Sequence, residues 1–107
     1  MKKLAIMIVL ACLVAGCAKK EKVNGVSLTF DELELAMFDC EDLMENRSLA
    51  NRIVNRQVTL DPNNSDRVNH AISAYIRLNQ LGLIDKDQDV REVGLVCQAV
   101  EHQYLNP

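Results

Sequence analysis

The chain has 107 residues, a formal net charge of −3, two phenylalanines, two tyrosines and no tryptophan. A chain of this length supports one domain with one modest hydrophobic core. Because nucleic-acid binding needs basic and stacking side chains, an acidic domain with so few aromatic residues is not expected to bind DNA or RNA.

The N-terminus has the three parts of an export signal. Lys2 and Lys3 come first, and an apolar run follows over residues 4–14. That run is shorter than the stretch of about 20 residues that crosses a bilayer, but it has the length of a signal's apolar region, about 7–15 residues. Ala15 and Gly16 follow as small residues. An ordinary secretory signal and an uncleaved anchor helix are the alternatives that this pattern leaves open.

The segment Val14-Ala15-Gly16-Cys17, with Leu13 before it, resembles the lipobox of bacterial lipoproteins. The resemblance covers residues 1–17 only. It implies that the Cys17 thiol receives a diacylglycerol, that the signal is cleaved between Gly16 and Cys17, and that the new amino group is acylated. Two or three acyl chains on one residue anchor a protein stably. Ala18 stands where an Asp would retain the protein at the inner membrane, so the family rule favours the periplasmic face of the outer membrane in a Gram-negative host.

The chain is therefore expected to have three parts. Residues 1–16 are the lipoprotein signal peptide, residues 17–28 are the lipidated cysteine and a tether, and residues 29–107 are a helical domain. The signal carries two lysines and no acid, so its removal changes the net charge from −3 to −5. Asn24-Gly25 is typical of a turn.

The first predicted helix begins at a capping box formed by Thr29 and Glu32. We expect it to extend from about residue 31 to residue 58, with a bend rather than a full stop near residues 46–48. Its apolar residues recur at spacings of 4, 3 and 4, as on one face of a helix: Leu33, Met37, Cys40 and Met44.

The second helix begins after a cluster of turn residues, with Asn64 or Ser65 as its cap. We expect it to end at Leu81, with Gly82 in the left-handed position that commonly terminates a helix. The predicted apolar face consists of Val68, Ala71, Ile72, Tyr75, Ile76 and Leu78.

The third helix follows aspartates at alternate positions across residues 85–89, a spacing that suggests a calcium loop. Val90 and Val96 stand where such a loop needs glycine and glutamate, so helix capping by Asp87 or Asp89 is the better interpretation. Apolar residues then recur at spacings of 3, 4, 3 and 4: Val90, Val93, Cys97, Val100 and Tyr104.

A single disulfide, Cys40–Cys97, is predicted. Cys12 leaves with the signal and Cys17 is lipidated, so two cysteines remain in an exported domain, where disulfides are common. Each lies in the apolar stripe of its own helix, and two separate buried thiols are the alternative. The expected fold is all-α: a small antiparallel three-helix bundle, with four helices if the first is split, stapled by this bond.

Neither a catalytic nor a metal site is predicted. His70 and His102 are the two imidazoles, and no CxxC or HxxxH spacing and no glycine-rich phosphate loop accompanies them. We therefore expect no enzymatic activity and no cofactor, apart from the covalent diacylglycerol and N-acyl chain on Cys17.

A partner surface is the remaining functional feature, with a solvated helix face as its alternative. The candidate residues are acidic on the first helix and basic beyond it: Asp39, Glu41, Asp42 and Glu45, then Arg52 and Arg56. We expect a small membrane-anchored lipoprotein that acts as a non-catalytic binding or assembly accessory for another envelope protein. The alternative is an exclusion or immunity lipoprotein of a mobile element, and a small envelope hydrolase is less favoured.

We expect the mature protein to begin at Cys17 and to carry fatty acid, because the lipobox resemblance implies cleavage and acylation there. Mass spectrometry of the protein purified from its native host measures both properties. A polypeptide that keeps its first 16 residues, or that carries no acyl chain, would contradict the lipoprotein interpretation.

Overall fold

The structure, a computed structural model, describes residues 21–106. Gly16 and Cys17, the residues of the predicted cleavage and lipidation, lie outside this range. Within it, a hairpin of two short strands precedes four helices. These elements are β1 (Glu21–Val23), β2 (Val26–Leu28), α1 (Phe30–Met44), α2 (Arg47–Val54), α3 (Asp66–Gln80) and α4 (Val90–Leu105).

The fold is mostly helical, as predicted, and the Cys40–Cys97 disulfide is present with a Cα–Cα distance of 5.5 Å. This bond joins α1 to α4. On a neighbouring face of α1, Asp39 forms an ion pair with Arg77 of α3. Among the described residues, none of the helices combines the length and the apolar character that a membrane crossing requires.

The predicted helix starts are confirmed. The Glu32 amide donates a hydrogen bond to Thr29 Oγ1 at 3.1 Å, and the Thr29 amide donates to Glu32 Oε1 at 2.9 Å. Ser65 caps α3. Asp89, with Glu92, forms a second capping box at α4. Each cap satisfies backbone donors that have no partner inside the helix.

The expected continuous first helix is wrong, because the chain stops and restarts between α1 and α2. Asn46 adopts an extended backbone, with φ −121° and ψ 105°. Its Oδ1 accepts a hydrogen bond from the Leu49 amide at 3.0 Å, so Asn46 is the N-cap of a new helix. The bundle is thus the four-helix form of the predicted fold, and α2 ends at Val54 rather than near residue 58.

The end of α3 is confirmed at its left-handed glycine, since Gly82 has φ +83°. The Leu83 amide donates to the Leu78 carbonyl at 3.1 Å, and both side chains are buried. One residue of the predicted apolar face does not belong to the core: Ile76 is 39% exposed. Ile76 follows the buried residue Tyr75 and lies about 100° around α3 from it, which places Ile76 at the edge of the buried face.

The hairpin belongs to the domain, although residues 21–28 fall within the expected tether. Asn24 and Gly25 both have positive φ, 52° and 81°, which a tight two-residue hairpin turn requires. Val23 and Leu28 are buried in the core. Asn24 Nδ2 also donates a hydrogen bond to the Leu83 carbonyl at 3.2 Å. The described fold therefore includes residues 21–28, because the hairpin covers apolar surface that the helices leave open.

The start of α1 packs on the end of α4. The rings of Phe30 and Tyr104 stack with their centroids 5.7 Å apart. Tyr104 Oη donates a hydrogen bond to Glu34 Oε2 at 3.0 Å, and this bond raises the pKa of Tyr104. Together with the disulfide, these contacts establish that α1 and α4 are antiparallel.

Replacing both Cys40 and Cys97 by serine is expected to lower the free energy of unfolding by about 4 kcal/mol, because the bond closes a loop between residues 57 apart in sequence. Urea denaturation under non-reducing conditions measures the loss. The wild-type protein in excess reductant is the control and should unfold near the midpoint of the double variant. Equal midpoints for the oxidised wild type and the double variant would contradict the stabilising role of the bond.

Candidate functional site

An open groove of about 770 Å³ lies between α1 and α4 and extends to the first residue of α2. Its floor is apolar and at least half-buried: it consists of Met37, Met44, Gly94 and the Cys40–Cys97 disulfide. Its rim is exposed and mostly acidic: it consists of Glu41, Asp42, Glu45, Glu101, Gln98 and Arg47.

Two features of α4 shape the floor. The disulfide holds Cys97 against α1, so the helices cannot separate at this level. One turn earlier, Gly94 has no side chain, and a Cβ there would lie 3.5 Å from Met44 Cε. The Met44 methyl group therefore lies over the bare backbone of α4, where an ordinary side chain would occupy the floor.

The acidic rim is placed unfavourably with respect to the dipole of α1. Glu41, Asp42 and Glu45 lie at the C-terminal end of this helix, where the backbone carbonyls carry partial negative charge, and its last turn contains no basic residue. Carboxylates at such a position cost about 0.3–1 kcal/mol each. Glu41 and Glu45 also repel each other across one turn. Negative potential is thus concentrated at the groove, and Arg47 is the one basic residue among its lining residues.

The predicted acidic residues divide between two roles. Glu41, Asp42 and Glu45 line the groove. Glu45 also forms an exposed ion pair with Arg67, with 2.8 Å between Oε2 and Nη2. Exposed pairs of this kind contribute little to stability, so Glu45 is not committed to the fold. Three of the four carboxylates in the predicted acidic set are thereby placed around one concave surface.

Asp39 is a correction to that set, because it is only 6% exposed and cannot contribute to an accessible surface. Arg77 Nη2 donates to its Oδ1 at 2.8 Å and Arg77 Nε donates to its Oδ2 at 3.0 Å. This hydrogen bonding raises the pKa of Arg77, with the charges of Asp39 and Asp42 adding to the effect and partial desolvation opposing it. Asp39 therefore joins α1 to α3 instead of facing a partner.

The predicted basic residues lie outside the groove, on exposed positions of α2 and its end. Arg56 has φ +59°, and its amide donates to the Ile53 carbonyl at 3.0 Å in the turn that ends α2. Arg56 and Lys86 also line a second, smaller cavity of about 420 Å³ with Tyr75, whose buried hydroxyl has no hydrogen-bond partner among the described residues. Arg52 lines neither cavity. The structure therefore does not unite Arg52 and Arg56 with the acidic groove.

Sequence reasoning did not identify Glu101 as a site residue, and it did not place Arg47 beside the acidic residues that line the groove. Glu101 follows Cys97 by one helical turn on α4, so the predicted disulfide combined with helical spacing is a pattern that indicates it. Arg47 has no comparable indicator, because its place in the groove depends on the break between α1 and α2.

The histidines form no constellation with the cavities. His70 is exposed on α3 and His102 is exposed on α4, and neither lines either cavity. Within residues 21–106, no three or more His, Cys, Asp or Glu side chains are grouped so that they could hold a metal ion.

No protein-family model matches the chain, no curated protein matches it, and no solved structure matches it.

Replacing Glu41 by glutamine is expected to raise the free energy of unfolding by about 0.3–1 kcal/mol, because it removes a negative charge from the C-terminal end of α1. Urea denaturation at low ionic strength measures the change, which should shrink in high salt.

Asp31→Asn is the matched control, since Asp31 is also exposed but lies in the first turn of α1, where a negative charge is favourable. This variant should lose stability. If both variants change stability in the same direction, the electrostatic account of the groove is wrong.

Proposed function

We propose that this protein is a lipid-anchored, non-catalytic accessory of the bacterial envelope, and that its groove binds a basic segment of another envelope protein. The observation that carries the proposal is the groove between α1 and α4, with its apolar floor and its excess of carboxylates. The lipobox resemblance at Cys17 supports the location, with the periplasmic face of the outer membrane favoured.

Charge complementarity selects the occupant. Four acidic residues and one basic residue surround the groove. A lysine- or arginine-bearing segment would therefore be attracted to it and would neutralise the carboxylates at the end of α1. An acidic or neutral segment would leave their repulsion in place.

The floor selects a second property of the occupant. Met37 and Met44 are flexible, polarizable side chains that adapt to differently shaped apolar groups. A binding segment therefore needs at least one long apolar side chain beside its basic residues, so that it covers the methionines and the disulfide while its charges meet the rim. Amphipathic helices have this combination of residues.

A site-specific photocrosslinking experiment in living cells of the native host tests the proposal. The photoreactive amino acid replaces Gln98, which lies on the rim, or Gln57, which is exposed and lines neither cavity. We expect Gln98 to crosslink to one envelope protein and Gln57 not to do so. Mass spectrometry of the product should locate the crosslink in a segment that combines Lys or Arg with a long apolar residue.

Charge reversal is the control that separates specific binding from proximity. The double change Glu41→Lys and Glu101→Lys should abolish the crosslink from Gln98, and reversal of the basic residues in the partner segment should restore it. A crosslink that persists through the first reversal, that forms equally from Gln57, or that falls in an acidic segment contradicts the proposal. A partner from a conjugation machine or a phage receptor would favour the exclusion role over an assembly role.

A further inference from the structure

The hairpin determines where the membrane anchor joins the domain. Glu21, the first described residue, pairs with Leu28 across the hairpin. Phe30, the first residue of α1, follows Leu28 by two positions. Because paired strands are about 5 Å apart and two further residues span about 7 Å at most, the chain enters the domain close to Phe30.

The same end of the domain exposes apolar side chains. Phe30 is 43% exposed and stacks on Tyr104 of α4, and the neighbouring Leu105 is 65% exposed. We call Phe30, Tyr104 and Leu105 the anchor-proximal patch. Tyr104 is half-buried, and its hydroxyl is hydrogen-bonded to Glu34. A ring with an apolar body and a satisfied polar tip is typical of side chains at membrane–water interfaces.

The remaining length of chain is short. Only residues 18–20 separate Cys17 from Glu21, so a fully extended chain places Glu21 at most about 14 Å from the lipidated residue. This limit is about half the thickness of a bilayer's hydrocarbon core. A lipid anchor on Cys17 would therefore hold the patch next to the membrane surface at high effective concentration.

We propose that the anchor-proximal patch lies on the bilayer surface and orients the domain there. The proposal rests on the lipid anchor of the proposed function. The contact is apolar rather than electrostatic, because Asp31 and Glu34 lie at this end as well as Lys22, so anionic lipid is not required. From Phe30 to Met44, α1 extends about 20 Å. The Met44 end of the groove therefore lies about 20 Å along α1 from the patch.

The absence of tryptophan allows a direct test. The full-length lipidated protein carrying Phe30→Trp is reconstituted into phosphatidylcholine vesicles, with or without brominated acyl chains. Leu105→Trp is a second reporter that does not alter the stacked ring pair. Leu60→Trp is the matched control, because Leu60 is 51% exposed but lies near the other end of α1. Its neighbour Asp61 hydrogen-bonds Asn69 in the first turns of α3. The start of α3 is in turn held to the C-terminal end of α1 by the ion pair between Arg67 and Glu45.

We expect both patch reporters to show blue-shifted emission and to be quenched by brominated lipid, while the Leu60→Trp reporter shows neither change. Vesicle flotation of the same samples reports the anchor separately. Flotation without quenching of the patch reporters, or with equal quenching at Leu60→Trp, overturns the proposed contact and leaves the anchored function intact. Failure of the protein to float overturns the contact together with the anchor.

Discussion

The Cys40–Cys97 disulfide is the contact on which the arrangement of the domain depends. It joins the middle of α1 to the middle of α4 across 57 residues of sequence. On a neighbouring face of α1, about 100° around the helix, the Asp39–Arg77 ion pair joins α1 to α3. α1 is therefore fixed to both α3 and α4. The small hydrophobic core alone would hold this helix less firmly. The groove is a consequence of this arrangement, because the disulfide forms part of its floor and holds α1 and α4 together there.

The groove also shows a local conflict between stability and charge. A helix is stabilised by acids at its start and by bases at its end, and α1 follows the first rule but not the second. Departures of this kind are expected where a surface is used for binding, because the partner supplies the missing charge. In the proposed function, the cationic partner of the carboxylates near Glu41 is the bound segment.

The sequence-based predictions of helices and strands succeeded mostly where the interacting groups are close together in the sequence and failed mostly where they are far apart in it. Thr29 was identified as a cap, and Asp89 as one of two candidates with Asp87, because the groups that such caps satisfy lie three residues away. The stop at Asn46 was the less favoured alternative because the apolar spacing continues on both sides of it, and periodicity cannot distinguish a bend from a new helix cap. The hairpin was missed because each strand has only three residues and is stabilised by burial of Val23 and Leu28 against helices far away in sequence.

The sequence alone was enough to predict the helical class, the approximate helix starts, the pairing of Cys40 with Cys97 and the acidic character of α1, since each was inferred from spacing or from elimination within a short chain. The tertiary structure decided which acids are accessible. It paired Asp39 with Arg77, 38 residues away, and it brought Glu101 to the same groove as Glu41. These outcomes depend on which helix faces meet and in what register, and no local pattern carries that information.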